Sequence, residues 1–253
     1  MGGTRLEFIR RKKKLKAGAR LFLVVVSIAL TLSGCLYPGE EKRASVNYRE
    51  SVKRIQAAVD DFQQEEGVLP ILNADETTPR YEKFRIDLGK LNNKGYLDDI
   101  PATAFEQGGS AYFLILNEES DPVVKVMDLV TVQKVNDVQR QINRYKSAHD
   151  GSLPILDELY PGLYTIDPKK AGTSSISLTS VYSGQVLDFI MDKAGTVYVD
   201  YVFDIMAAID KNGGEHDEKK DLRLDLEEAS YYVPVKSLPY LWINNQPIPQ
   251  PPS

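Results

Sequence analysis

Cysteine is nearly absent: Cys35 is the only one in 253 residues. An intrachain disulfide is therefore excluded, as is any metal site built on several thiolates. Histidine is scarce too, at two residues, and no nucleophile elbow, His-Glu-x-x-His or Ser-x-x-Lys pattern occurs. Most hydrolytic machineries thus lack parts, although a pair of carboxylates converging in space stays open. Long apolar runs are missing as well. The run Leu21–Leu32 has 12 residues, against the ~20 that a membrane-spanning helix needs.

What that short run does have is the right surroundings. Arg10-Arg-Lys-Lys-Lys14, Lys16 and Arg20 precede it, and Leu32-Ser33-Gly34-Cys35 ends it. A basic stretch, a short apolar stretch and small residues before a cleavage point form a secretory signal. The tetrapeptide resembles the bacterial lipobox, in which the cysteine is acylated and becomes the mature N-terminus. The resemblance implies a palmitate-type anchor on Cys35 and a place on the extracytoplasmic face of the cell membrane.

Residues 1–35 carry eight Lys or Arg and one acidic residue, leaving 23 basic and 35 acidic residues beyond them, a net charge of −12. Such a body repels nucleic acid and anionic lipid, so membrane affinity is expected from the lipid and not from a polybasic patch. A hydrophobic content of 42 %, with 14 Tyr and 8 Phe, is enough for a folded core.

Beyond Cys35 the chain reads as if written twice. Val52, Ile55, Val59 and Phe62 keep helical spacing, and Val135, Val138, Ile142 and Tyr145 repeat the same rhythm. Each helix is expected to stop at a glycine, Gly67 or Gly151, followed by Leu69-Pro-Ile-Leu72 or Leu153-Pro-Ile-Leu156. Gly95–Pro101 matches Gly162–Pro168 loosely. Each half then has two apolar runs split by a turn: Ala111–Leu116 with Val123–Met127, and Val186–Met191 with Thr196–Val202. The expected fold is α+β, a duplicated unit of amphipathic helix plus antiparallel β-hairpin with an extended C-terminal arm. Residues 1–35 are the signal peptide, 36–50 a tether, 51–130 and 131–202 the two units. Residues 203–253 hold a helix, an acidic loop and a Pro-rich arm, disordered or extended from Pro247.

The lipobox followed by Leu36-Tyr37-Pro38, the repeated Gly-x-Leu-Pro-Ile, Thr103–Gly109 and Tyr182-Ser-Gly184 together resemble the YphF-type lipoproteins of Bacillus-like Gram-positive bacteria. The resemblance implies an anchored extracytoplasmic protein and carries no catalytic residues. The helix, glycine-proline stop and small hairpins are also similar to the globular part of type II secretion pseudopilins, which bears on fold alone.

Few residues carry chemistry. His149, in the last turn of the second helix, suits the carbonyl end of a helix, with a catalytic base as the other reading; His216 lies in a charged loop. Asp210–Glu218 has oxygen ligands but breaks the EF-hand pattern at Gly214 and Glu215. Gly108-Gly109 and Ser183-Gly184 lack the strand–loop–helix context of a phosphate loop and read as turns into the hairpins. Aromatics gather in the second half, and Tyr231, Tyr232, Tyr240 and Trp242 are the candidate partner-binding residues, with core packing as the plain alternative. No catalytic residue, metal or cofactor is expected. The leading expectation is a non-enzymatic binding or scaffolding lipoprotein whose partners are the membrane through Cys35 and an envelope protein or glycan, not nucleic acid. A small-ligand or glycan binder with a cleft between the units is the alternative, and a cell-wall enzyme the third.

Overall fold

The computed structural model describes residues 40–214, 217 and 219–252. The lipobox Leu32, Ser33, Gly34 and Cys35, and His216, lie outside the described residues. The chain is α+β. Helix α1 (Glu40–Glu66) buries Val52, Ile55, Val59 and Phe62 on one stripe. It starts earlier than the sequence reading places it, so most of the expected tether at 36–50 is helical. Gly67 ends it with φ +70 and an N–H bond to the Gln63 carbonyl, the left-handed stop that glycine allows. A 3-10 turn (Arg80–Glu82) and α2 (Leu88–Asn93) lead to strands β1 (Ala111–Leu116) and β2 (Val123–Asp128), an antiparallel hairpin.

Helix α3 (Leu129–Ala148) opens the second half, capped by the Asp128 carboxylate on Thr131 N–H. Then come β3 (Ile155–Tyr160), β4 (Leu163–Ile166), α4 (Pro168–Ala171), a small β5–β6 pair (Leu178–Thr179, Val186–Leu187), β7 (Phe189–Asp192) and β8 (Val197–Val199). Strands β3-β4-β7-β8 form one antiparallel sheet in that order. The run Val186–Met191 is thus two strands broken at Asp188, and the run from Thr196 leaves the sheet at Val199, where α5 (Val202–Lys211) follows. Helix α6 (Arg223–Ala229) and a hairpin of β9 (Tyr240–Ile243) and β10 (Gln246–Pro249) end the chain. The start of the Pro-rich tail, Pro247–Pro249, is therefore extended and paired. Asn244 and Asn245, φ +53 and +62, make the tight turn whose twist suits a two-residue hairpin. Gln246 and Ile248 alternate with the prolines and keep the N–H groups a strand needs.

Each half packs its helix on its own sheet: Ile55, Val59 and Phe62 against Phe113, Ile115 and Val124, and Val138 and Ile142 against Met191 and Val197. Val59 and Ile142 are both fully buried. The backbone bonding also runs in step. Asp87 N–H bonds the Pro70 carbonyl and Asp167 N–H the Pro154 carbonyl, each at 2.8 Å. Both aspartates then cap the helix that follows. Ile71 bridges Ile86 as Ile155 pairs Ile166, and Arg85 bridges Leu114 as Thr165 pairs Ile190. The registers Phe113–Val126 and Ile115–Val124 answer Phe189–Val199 and Met191–Val197. In this frame Asp87 answers Asp167, so the loose match of Gly95–Pro101 to Gly162–Pro168 is corrected: Gly162 sits in the β3–β4 turn.

Candidate functional site: two grooves beside the C-terminal arm

The arm lies along both hairpins. Val126 N–H donates to the Tyr231 carbonyl at 2.8 Å, and Val233 N–H returns to the Val126 carbonyl at 3.0 Å. Val199, which holds the position of Val126 in the second hairpin, donates to the Lys236 carbonyl at 2.9 Å. Val233, Pro234 and Val235 between them are buried, and the Tyr201 hydroxyl donates to the Val235 carbonyl. An edge strand exposes unpaired backbone groups; here one arm takes donors from two edges.

Glutamines from the helices take the next donors. Gln56 Nε2 donates to the Pro122 carbonyl and its Oε1 accepts from Val124 N–H at 2.7 Å. Gln139 does the same with the Gly195 carbonyl and Val197 N–H, at 2.8 Å each. Each amide bonds the strand as a neighbouring strand would. Each Nε2 also reaches the residue four places on, Asp60 or Asn143.

Between helix, edge strand and arm each half leaves a groove. The first, about 660 Å³, is lined by Val52, Lys53, Gln56, Val123, Val124 and Lys125, with Ser230 and Tyr231 of the arm. The second, about 400 Å³, has Val135, Asn136, Gln139, Thr196, Val197 and Tyr198 at the answering positions, with Lys236 and Ser237 of the arm. Pro79–Glu82 of the first half and Arg223 wall the second groove further, making it a cleft between the halves.

The cleft is basic on its surface and acidic behind. Arg80 forks onto Glu227 through Nε and Nη2, at 3.3 and 3.2 Å. The Tyr81 hydroxyl donates to the same buried carboxylate. Arg223 holds Asp221 and stacks 4.9 Å over the Tyr81 ring, and Lys236 pairs with Glu82 at 2.8 Å. Burial opposes the charge on Arg80, but the bonds and charge of Glu227 outweigh it and hold its pKa above the ordinary value. Burial pushes the Tyr81 hydroxyl up, with Arg223 opposing and Glu227 adding. In the first groove Lys125 is spent on the end of α6 and the start of the arm, donating to the Glu227 and Ser230 carbonyls; burial lowers its pKa, against the pull of Glu227 and Glu228.

The aromatic candidates divide. Tyr231 is half-buried and lines the first groove, with the Arg49 guanidinium 5.8 Å from its ring centre. Tyr232 is half-buried and packs edge-on to Tyr48. Trp242 is half-buried against the second core. Tyr240 is fully buried: its hydroxyl accepts from Tyr201 N–H at 2.8 Å and donates to Asp200. Tyr240 is therefore corrected from candidate partner-binding residue to its core-packing alternative, because both its ring and its hydroxyl are used up inside the protein. Burial raises Asp200, and bonds from Val202 N–H, Tyr160 and Tyr240 oppose the rise. A smaller cavity of about 190 Å³ lies beside Tyr182, Asp204 and Lys211. There Ser180 donates to Asp204 Oδ2, while Asp204 Oδ1 and the Tyr182 hydroxyl are buried without a geometric hydrogen bond to any described residue.

His149 stacks on Tyr145, centroids 3.8 Å apart, and its Nδ1 meets the Tyr145 carbonyl at 2.8 Å, the helix-end role. Among the described residues no three His, Cys, Asp or Glu are placed to hold a metal ion, and no helix is long and apolar enough to cross a membrane. Gly108 ends a 3-10 turn in the left-handed region. A Cβ on Gly109 would fall 2.1 Å from the Thr103 carbonyl oxygen, so that glycine serves a close backbone approach. Sequence reasoning missed Gln56, Gln139, Arg80, Arg223 and Lys236. The two glutamines stand at answering positions of the two helices, four places after Val52 and Val135, and were open to discovery; the three cations share no local pattern.

No curated protein and no solved structure matches the chain. Residues 48–128, running from within α1 to the end of β2, match the YphF family N-terminal domain, the family the sequence resembles.

Proposed function

We propose that this chain is a lipid-anchored extracytoplasmic binding or scaffolding protein of the cell envelope, without enzymatic activity, built by duplication of one helix-and-hairpin unit. The anchor reading rests on the basic stretch, the short apolar run and Leu32-Ser-Gly-Cys35. The duplication reading is supported by bonds that recur at answering positions, above all the Gln56 and Gln139 clamps. One observation carries the binding reading: two grooves of matching construction flank the arm, with Tyr231 at one and Lys236 at the other. Paired concave surfaces held on rigid strands suit recognition.

Two experiments test it. Cys35→Ser removes the thiol that would carry the acyl group, and fatty-acid labelling should vanish; undiminished labelling contradicts the anchor. A photo-crosslinker placed at Tyr231 should capture an envelope component in living cells, while one at exposed Phe203 should not. Equal capture from both positions contradicts the surface.

The small-ligand reading has its own support. The cleft between the halves has a volume within the ~300–1,000 Å³ range of ligand sites.

A further inference from the structure

Within the cleft between the halves the polar lining is one-sided. Arg80, Arg223 and Lys236 face Glu82 alone among lining carboxylates, in a body whose net charge beyond Cys35 is −12. The carboxylates of Asp221 and Glu227 pair with the guanidiniums and are not part of the lining. Donors remain: Arg80 meets Glu227 through Nε and Nη2, which leaves Nη1 outside that pair, and exposed Asn136 spends its amide on no described residue. Lys236 adds a further signal. Its φ is +58, a region that non-glycine residues enter at a cost and that recurs at ligand sites. Its carbonyl is held there by Val199 N–H. Val135 and Val197 supply an apolar floor.

From these groups we infer that the cleft binds a small organic anion, its phosphate or carboxylate held by Arg80, Lys236 and Asn136 and its body resting on Val135 and Val197. A planar guanidinium with an unspent edge suits such groups. This rests on the small-ligand reading of the cleft and adds the charge of the ligand.

The test is thermal protection of the full chain in neutral detergent by inorganic phosphate and by succinate, with sodium chloride at matched ionic strength as reference. Ligand that binds only the folded state raises the melting temperature. Both anions should protect the wild type, and Asn136→Asp, on an exposed helix face, should weaken apparent affinity at least tenfold. Lys236→Gln should weaken it comparably. Equal protection of wild type and Asn136→Asp, or no protection beyond that of chloride, overturns the inference. Protection by a neutral disaccharide instead, abolished by Asn136→Trp, also overturns it while leaving the cleft as a ligand site. Should Asn136→Trp change the response to no probe, the cleft reading falls with it.

Discussion

The two halves keep one hydrogen-bonding frame and differ in what they hang on it. Gln56 and Gln139 clamp answering strands, and Val126 and Val199 give answering donors to one arm. The groove linings differ: Lys53, Val123 and Lys125 stand where Asn136, Thr196 and Tyr198 do. Lys125 ties the first groove to the arm's carbonyls; Tyr198 bonds Asp192 of its own sheet and leaves the second groove to cations from elsewhere. Backbone bonds that are costly to lose when buried constrain a residue, whereas an exposed lining position is free to take a new role. A shared frame with separate linings is what the proposed duplication leads one to expect.

The largest expected effect probes the frame through its core. Ile142→Ala, which leaves a cavity under β7 and β8, should cost about 2–5 kcal/mol, and Val59→Ala, which removes less, about 1–3 kcal/mol. Chemical denaturation checks both, and a loss near zero in either half breaks the likeness.

Next come the clamps. Gln56→Ala and Gln139→Ala each leave an edge-strand N–H without its partner, at about 1–3 kcal/mol. Similar losses are expected in the two halves. A clear loss on one side only would mean that one clamp is incidental.

A smaller effect sharpens a difference, since Asp204 sits in the second half and lines the same small cavity as Tyr182. Burial raises its pKa above 3.8, with the Ser183 and Ser180 hydroxyls opposing. The folded state thus holds that proton more tightly than the unfolded one. The stability this contributes is full below pH 3.8 and is lost as pH rises through the folded value. Asp204→Asn, which keeps an acceptor for Ser180, should therefore be relatively more stable at neutral pH, its advantage shrinking toward pH 4. A melting-temperature difference independent of pH contradicts this.

Much of the frame was legible. Helical spacing marked Val52 to Phe62 and Val135 to Tyr145, and glycine with proline marked both helix ends, because these signals are local. The β3–β4 pairing was less so: Ile155–Tyr160 is exposed over most of its length and offers no alternating pattern. Tyr240 misled because a buried tyrosine and an interface tyrosine look alike until the hydroxyl's partner, here Asp200, is known. A cleft between the units was among the readings of the sequence, but its cationic lining was not legible, for a different reason. Arg80, Arg223 and Lys236 are brought together only by the arm's return across both hairpins, and no periodicity records a meeting of residues that far apart in the chain.

That return is the centre of the account, and native-state amide exchange tests it most directly. Val124 and Val126 should be protected to similar degrees as Val197 and Val199, and a chain ending at Ser230 should lose protection at Val126 and Val199 together while Val124 and Val197, held by glutamine, keep more of theirs. Fast exchange at Val126 or Val199 in the intact chain, or unchanged protection of both after truncation, would contradict an arm that bridges two equivalent edges.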